Sequence, residues 1–189
     1  MPTKLDIIYT PNKILRQEAV LVPIDKIKSK KIQTLIADMK ETLKSTPDGV
    51  GLAAPQVNES LQIFIVSDEA EEIDRTELKK KKQEDEKLEE DPYPKRDWNY
   101  YTFINPVVKK IARKKLTGTE GCLSVPGKFG PILRQEKITV EAYDENGQKF
   151  TRGASRFFAR VIQHELDHLK GFLFIDHAED IFTVDKTKK

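Results

Sequence analysis

The order of apolar patterns along this chain restricts its fold more than any other feature. A helix pattern comes first: Asp25 is a suitable N-cap, and apolar residues at spacings of three and four follow it. These residues are Ile32, Leu35, Ile36, Met39 and Leu43. Turn residues at 46–49 end this helix, and the strand patterns that follow do not alternate regularly with helices.

Three segments have strand patterns, at residues 61–66, 101–108 and 137–144. The first is apolar throughout, which indicates burial on both faces. Pro106 would place the far end of the second strand at a sheet edge. The third alternates between apolar and polar residues, and Asn146-Gly147 predicts a hairpin turn into one more strand.

A second helix pattern, from Ser155 to the Gly171 stop, lies close to the C-terminus. Because helices and strands are segregated along the chain, we predict an α+β fold. Mostly antiparallel sheets would pack around this C-terminal helix. A chain of 189 residues suits one core, so we expect a single domain over 1–189.

The segment 68–97 interrupts this pattern with 13 acidic and 8 basic residues. Its few large apolar residues, Ile73, Leu78 and Leu88, are too scattered to bury a face. We predict a solvated helical protrusion or a disordered loop between two neighbouring strands, away from the chemistry, with a partner-docking arm as the alternative. The remaining residues carry a net charge of +7, which suits a polyanion such as ribosomal RNA or simply a lysine-rich surface.

The chain has one cysteine and lacks the pattern of a signal peptide at its N-terminus. Its apolar run at 19–24 is too short to span a bilayer. We therefore expect a cytoplasmic protein that does not associate with membranes. No pattern indicates an oligomeric state.

The stretch QHELDHLKG, 163–171, contains the strongest chemical signal. His164 and His168 are four residues apart, so both imidazoles leave one face of the predicted helix. Glu165 is offset by about 100° around the helix, where it can approach a metal site without being a ligand. This H-E-x-x-H spacing is typical of zinc sites. The alternative is a core helix with two hydrogen-bonded, inert histidines.

A third ligand is needed for a catalytic site of this kind. Phe174 stands where some metalloproteases have a third histidine, and His177 comes three residues too late. Carboxylates in the short tail after the helix are possible ligands: Asp176, Glu179 and Asp180. Cys122 is the more attractive candidate, since a His₂Cys set suits Zn²⁺ or Fe²⁺.

Two further interpretations concern the stretches around Cys122 and Gln56. Cys122 could instead be a nucleophile paired with His164, which would leave the His/Glu/His spacing unused. Gly121 would allow the backbone to approach the cation.

The stretch GVGLAAPQ, 49–56, consists largely of small residues, which leave an uncrowded edge for a substrate. Gln56 could offer its amide to the site. The alternative is a tight turn that leads into a buried strand.

GVGLAAPQ, EGCLSVPG and QHELDHLKG, in this order, resemble the three signature motifs of peptide deformylases. INP at 104–106, Arg134 and FLFID at 172–176 extend the resemblance to nearly the whole chain outside 68–97. It implies a metal-dependent hydrolase that removes the N-formyl group from the formylmethionine of newly synthesised polypeptides and releases formate. The implied partners are these nascent polypeptides and, transiently, the ribosome.

The resemblance also implies a role for each site residue. Cys122, His164 and His168 would hold one divalent ion, with Fe²⁺ as the native metal and Zn²⁺, Ni²⁺ or Co²⁺ as replacements. Glu165 would be the general base and acid. The Gln56 side chain and the Leu123 N–H would stabilise the oxyanion. The expected substrate-binding residues are Val50, Gly51, Gly121, Arg134, Phe157 and Val161.

One departure and two other function classes are also relevant. Phe157 and Phe158 stand where the family more often has smaller aliphatic residues, so Phe157 would narrow the methionine pocket if it faces the site. A zincin-like endopeptidase is disfavoured by Phe174 at the third-ligand position. A non-enzymatic ribosome-binding module is disfavoured because every presumed chemical residue is present.

Overall fold

Two antiparallel sheets and three α-helices make up the part of the chain that the computed structural model describes, residues 1–46, 49–80 and 98–184. The helices are α1 (Lys30–Lys44), α2 (Glu69–Lys80) and α3 (Arg156–Leu169). The strands are β1 (Gly51–Ala53), β2 (Ile63–Ser67), β3 (Tyr100–Ile111), β4 (Lys115–Cys122), β5 (Val125–Gln135), β6 (Lys137–Tyr143), β7 (Lys149–Ser155) and β8 (Phe182–Thr183). This architecture confirms the predicted α+β class.

The five-stranded sheet has the order β1-β2-β3-β6-β7, and the smaller sheet has the order β4-β5-β8. Every pair of neighbouring strands in both sheets is antiparallel. Helix α3 packs against β1, β2, β6 and β7 of the large sheet and also against β5 of the small one. It thereby joins the two sheets.

The first predicted helix has the expected buried apolar stripe, but it begins at a different residue from the one predicted. All five predicted stripe residues are buried. Asp25, however, lies in a short 3₁₀ turn, Ile24–Lys26. The N-cap is Ser29, whose hydroxyl accepts a hydrogen bond from the backbone N–H of Ile32 at 3.5 Å. A second cap residue four positions later starts the helix in phase with the same stripe.

The predicted strands correspond to β2, β3, β6 and β7. All five residues of β2 are buried, as its unbroken apolar run predicts. Strand β2 pairs with β3 only as far as Ile104, and the register with β6 shifts between Ile104 and Val107, around Pro106. Strands β4 and β5 were not predicted as elements, because two glycines in β4 and four Gly or Pro residues in β5 interrupt the alternation of apolar and polar residues.

The inserted segment begins with α2, and its first two turns pack against the core, so this part of the insertion is not the solvated protrusion that the sequence predicted. Ala70 is fully buried, and Asp74 is 8% exposed. Helix α2 packs against α3, which carries the histidines. The pattern was misread because the buried face of α2 is built from a small and an acidic residue and not from large apolar ones. The rest of the insertion, 81–97, lies outside the described residues.

Within the described ranges, no helix has both the length and the apolar character needed to cross a membrane.

Candidate active site

Cys122, His164 and His168 come together where the end of β4 meets α3. The Cys122 sulfur lies 3.2 Å from His168 Nε2. One ligand atom from each of the three residues lies within 4.8 Å of the other two. The hairpin of β4 and β5 carries the cysteine to the helix, with a register shift between Gly121 and Cys122. Helix α3 places His164 and His168 side by side, because residues four apart share one helical face.

The donors of this cluster fit a divalent cation. A thiolate and two imidazoles form a His₂Cys set that suits Zn²⁺ and Fe²⁺. Two buried atoms beside it, Glu165 Oε2 and His168 Nδ1, have no hydrogen-bond partner among the described residues. Buried polar atoms are rarely unpartnered, so this cluster is suited to a further polar partner such as water.

The pKa values of the two histidines are shifted in opposite directions. Burial opposes protonation of His164, but its contacts with Cys122 and Glu120 raise its pKa well above the ordinary value. Burial, together with the charge on His164, lowers the pKa of His168 well below the ordinary value.

Glu120 fixes the orientation of His164 and was not identified from the sequence. Its Oε2 accepts a hydrogen bond from His164 Nδ1 at 2.9 Å, which leaves Nε2 of that ring for a metal. Arg134 donates to both oxygens of the same carboxylate, at 2.8 and 2.9 Å. Burial alone would raise the pKa of Glu120, but the hydrogen bonds from Arg134 and His164 hold it at about 2.

Two buried arginines form ion pairs with Glu120. Arg134, which was expected to bind substrate, is 8% exposed and pairs with Glu120 and with Asp167 at 2.6 Å. It does not line the active-site cavity, so it is a positioning residue. Arg160 donates to Glu120 at 3.1 Å and to three backbone carbonyls of β4 and β5. Its position inside the H-E-x-x-H helix pattern gave no signal for this role.

Glu165 is 3% exposed and lies next to the backbone of Gly51. A Cβ atom on Gly51 would sit 2.4 Å from Glu165 Oε1, which is closer than two such atoms can approach. A glycine is therefore required here for the carboxylate to reach its position. Burial raises the pKa of Glu165 to about 7. A carboxylate with such a pKa can accept and return a proton near neutral pH.

Gln56 is held so that its amide N–H₂ group faces Cys122. Its Oε1 accepts a hydrogen bond from the backbone N–H of Ala53 at 2.8 Å, which fixes the orientation of the amide. Its Nε2 then lies 3.6 Å from the Cys122 sulfur and 3.3 Å from the Ser124 hydroxyl. The donor is thus oriented before any ligand binds.

A cavity of about 470 Å³ opens over this cluster. Five of the six residues that were expected to bind substrate line it, together with Gln56, Leu123 and Glu165: Val50, Gly51, Gly121, Phe157 and Val161. Phe157 faces the cavity, whereas Phe158 is buried in the core. The reason for Gly121 differs from the expected one, since a Cβ there would collide with the Phe129 ring at 2.6 Å.

Comparison with known proteins gives a consistent result. The family model described as polypeptide deformylase matches residues 4–183. The chain is 36% identical to a peptide deformylase of Symbiobacterium thermophilum over 182 residues, which is 96% of this chain and 70% of the relative. It is 39% identical to a peptide deformylase of Dictyoglomus turgidum over 173 residues, 88% of this chain and 94% of the relative.

A solved structure agrees with these relatives. The class I type b peptide deformylase of Acinetobacter baumannii with Met-Ala-Ser bound matches with a TM-score of 0.75 and 29% identity, over 94% of this chain and 99% of that one. The family model and both sequence relatives span most of the chain, including the three motifs that converge at the cavity. The chain therefore belongs to the peptide deformylase family, the hydrolases that remove the N-formyl group from newly synthesised polypeptides.

Proposed function

We propose that the protein carries out this deformylation at the cavity over α3, with Cys122, His164 and His168 holding one divalent metal ion. The convergence of these three side chains within 4.8 Å, at a cavity that Glu165 also lines, is the observation that carries the proposal. A metal held there would act as a Lewis acid toward the formyl carbonyl and lower the pKa of water.

The other residues of the cavity complete the reaction. Glu165 accepts the proton of the attacking water and delivers it to the leaving amine, so that formate and a free N-terminal amine are the products. The Gln56 amide and the backbone N–H of Leu123 donate hydrogen bonds to the oxygen on which negative charge develops. The fixed orientation of Gln56 supports this role, because a preorganised donor needs no rearrangement during the reaction.

The substrate would be an extended peptide with an N-terminal formylmethionine. Strand β1 is the last strand of its sheet, and Gly51 and the preceding Val50 line the cavity, which supports binding of the peptide as an added strand. Phe157 and Val161 would contact the methionine side chain. The Acinetobacter relative, solved with Met-Ala-Ser, supports a product that begins with methionine.

Formate release from formyl-Met-Ala-Ser, measured with and without a chelator and beside a casein-cleavage control, tests the proposal. We expect formate only from the metal-loaded protein and no cleavage of casein. Casein cleavage without formate release would favour an endopeptidase instead.

For the metal, we propose Fe²⁺ as the native ion, with Zn²⁺, Ni²⁺ or Co²⁺ as replacements. Metal analysis of protein purified without oxygen tests this proposal, and a different ion in that protein would contradict it.

Substituting Gly51 by Ala should lower kcat by about 100-fold, because the new methyl group must displace the Glu165 carboxylate by an ångström or more. Steady-state kinetics with a formyl-Met peptide measure the effect. Gly153→Ala is the matched control, since a Cβ at Gly153 meets no atom within 4 Å. Equal kinetics for the two variants would mean that the contact between Gly51 and Glu165 does not matter.

We also propose a cytoplasmic location and transient association with the ribosome. Five of the seven residues in 109–115 are basic and exposed: Lys109, Lys110, Arg113, Lys114 and Lys115. Glu141 and Glu136 pair with two of them, at 3.7 and 3.0 Å. Such a cluster where β3 ends and β4 begins suits binding to RNA phosphates.

Reversing the charge of Lys110, Arg113 and Lys115 to Glu should weaken co-sedimentation with ribosomes at least about tenfold at low salt. The control is the same charge change at Lys28, Lys30 and Lys31, which are exposed on and before α1. Equal losses for both triple variants would point to net charge alone and against a docking site at the connection between β3 and β4. Fractionation of cells tests the cytoplasmic location, and limited proteolysis tests the proposal that 1–189 is one catalytic domain.

A further inference from the structure

The first turn of α3 is capped by a residue from the inserted helix. The two oxygens of Asp74, on α2, accept hydrogen bonds from the backbone N–H groups of Phe157 and Phe158, at 3.0 and 3.1 Å. These N–H groups belong to the second and third residues of α3 and have no acceptor within the helix. An N-cap side chain normally takes this role, but Asp74 is 83 residues away in sequence.

The residue at the N-cap position of α3 does not supply this cap. Ser155 makes no side-chain hydrogen bond to the first turn. The next residue, Arg156, has a left-handed backbone with φ of 49°, a conformation that is unfavourable for a non-glycine residue. The chain therefore enters α3 through a strained residue, and interactions around it must hold that geometry.

Helix α2 is itself anchored, so that Asp74 is held in a fixed position. Glu71 pairs with Arg152 of β7 at 2.6 Å and accepts a hydrogen bond from the Tyr101 hydroxyl at 3.0 Å. The Arg152 guanidinium lies 4.3 Å from the centre of the Tyr101 ring. At the start of α2, Asp68 bonds the backbone and side-chain nitrogens of Asn99. The cap is thus connected to the large sheet through several contacts.

Phe157 connects this cap to the active-site cavity. Its N–H is bound by Asp74, while its ring lines the cavity with Val161 and Glu165, which lie one and two helical turns further on. His164 is held separately, through Glu120. A change at the first turn would therefore move the Phe157 ring well before it moved His164.

We propose that Asp74 is a positioning residue that sets substrate selectivity: it caps α3 from α2 and thereby fixes the Phe157 wall of the methionine pocket. The inference rests on the proposed substrate site. It assigns the inserted helix a part in choosing the first side chain of the peptide, while the metal ligands and Glu165 keep their places. Loss of the cap should raise KM and lower selectivity, with little change in kcat.

The test compares Asp74→Asn with Glu72→Gln, a matched control on α2 whose carboxylate pairs with the exposed Arg75 at 3.4 Å. The ratio of kcat/KM for formyl-Met-Ala-Ser to that for formyl-Phe-Ala-Ser is measured for each. We expect Asp74→Asn to lower this ratio about fivefold, mainly through KM, with unchanged metal content. Glu72→Gln should leave it unchanged.

A double-mutant cycle with Phe157→Ala tests whether Asp74 acts through Phe157. If it does, Asp74→Asn changes the ratio in the native background and adds nothing in the Phe157→Ala background. Equal changes in both backgrounds, or an unchanged ratio in a folded Asp74→Asn protein, would overturn the proposal. Asp74→Glu, which keeps the charge but displaces it, serves if Asp74→Asn does not fold, and an unchanged ratio there has the same meaning.

Amide hydrogen exchange gives a reading that does not depend on turnover. The N–H groups of Phe157 and Phe158 should exchange at least about tenfold faster in the Asp74 variant than in the native protein, and not in Glu72→Gln. Unchanged exchange would contradict the cap itself. A native protein that releases no formate while these amides respond would instead refute the proposed function and leave the cap in place.

Discussion

Replacing Glu165 by Gln should lower kcat for a formyl-Met peptide by about 10²- to 10⁴-fold, with little change in metal content or thermal stability. The carboxylate is 3% exposed, lines the cavity and follows His164 in the chain, but it is not part of the cluster of Cys122, His164 and His168. Glutamine has nearly the same size as glutamate, but its side chain cannot take up the proton. The loss should therefore appear in the chemical step and not in folding.

The control for this variant is Glu141→Gln on β6, whose carboxylate pairs with Lys149 at 2.9 Å and lies outside the cavity. Its kinetics should match those of the native protein. If Glu165→Gln kept more than a tenth of native kcat, another group would have to serve as the base. If it lost its metal, Glu165 would be acting on the ligands and not on the proton transfer.

Replacing Glu120 by Gln should destabilise the protein by about 3–5 kcal/mol and weaken metal binding by about 10- to 100-fold. The Glu120 carboxylate is 6% exposed and accepts hydrogen bonds from Arg134, Arg160 and His164. A neutral amide would leave two buried guanidinium groups with less compensating charge. It would also turn a donor toward a donor at one of these contacts, so that His164 would lose its fixed orientation.

Chemical denaturation and metal-binding titrations measure the two effects separately. Asp167→Asn is the comparison, because Asp167 contacts Arg134 from the outer side and does not touch His164. It should cost less stability than Glu120→Gln and leave metal affinity nearly unchanged. Equal metal affinities for Glu120→Gln and the native protein would show that Glu120 supports the fold alone.

The sequence predicted the parts of this protein whose signals are local. The spacing of His164 and His168 is a property of any helix, so both could be placed on one face without a structure. The apolar stripe of α1 and the unbroken apolar run of β2 are likewise local patterns, and each indicates one type of secondary structure. The fold class then followed from the order of these elements.

The supporting network of the site could not be predicted, because its signals are distributed over the chain. Glu120, Arg134 and Arg160 are ordinary charged residues in the sequence, and only the approach of β4 and β5 to α3 brings them together. Arg134 was accordingly taken for a substrate-binding residue. Asp74 was not identified for the same reason, because it lies in a segment whose many acidic residues are typical of a solvated surface.

The most direct test of the metal site is a titration of the metal-free protein with a divalent ion, following two signals together. These signals are formate release from formyl-Met-Ala-Ser and the protection of Cys122 from alkylation. If Cys122, His164 and His168 hold one catalytic ion, both signals should saturate at one equivalent per chain. Formate release that persists without metal, or a thiol that reacts equally fast with and without it, would contradict this account.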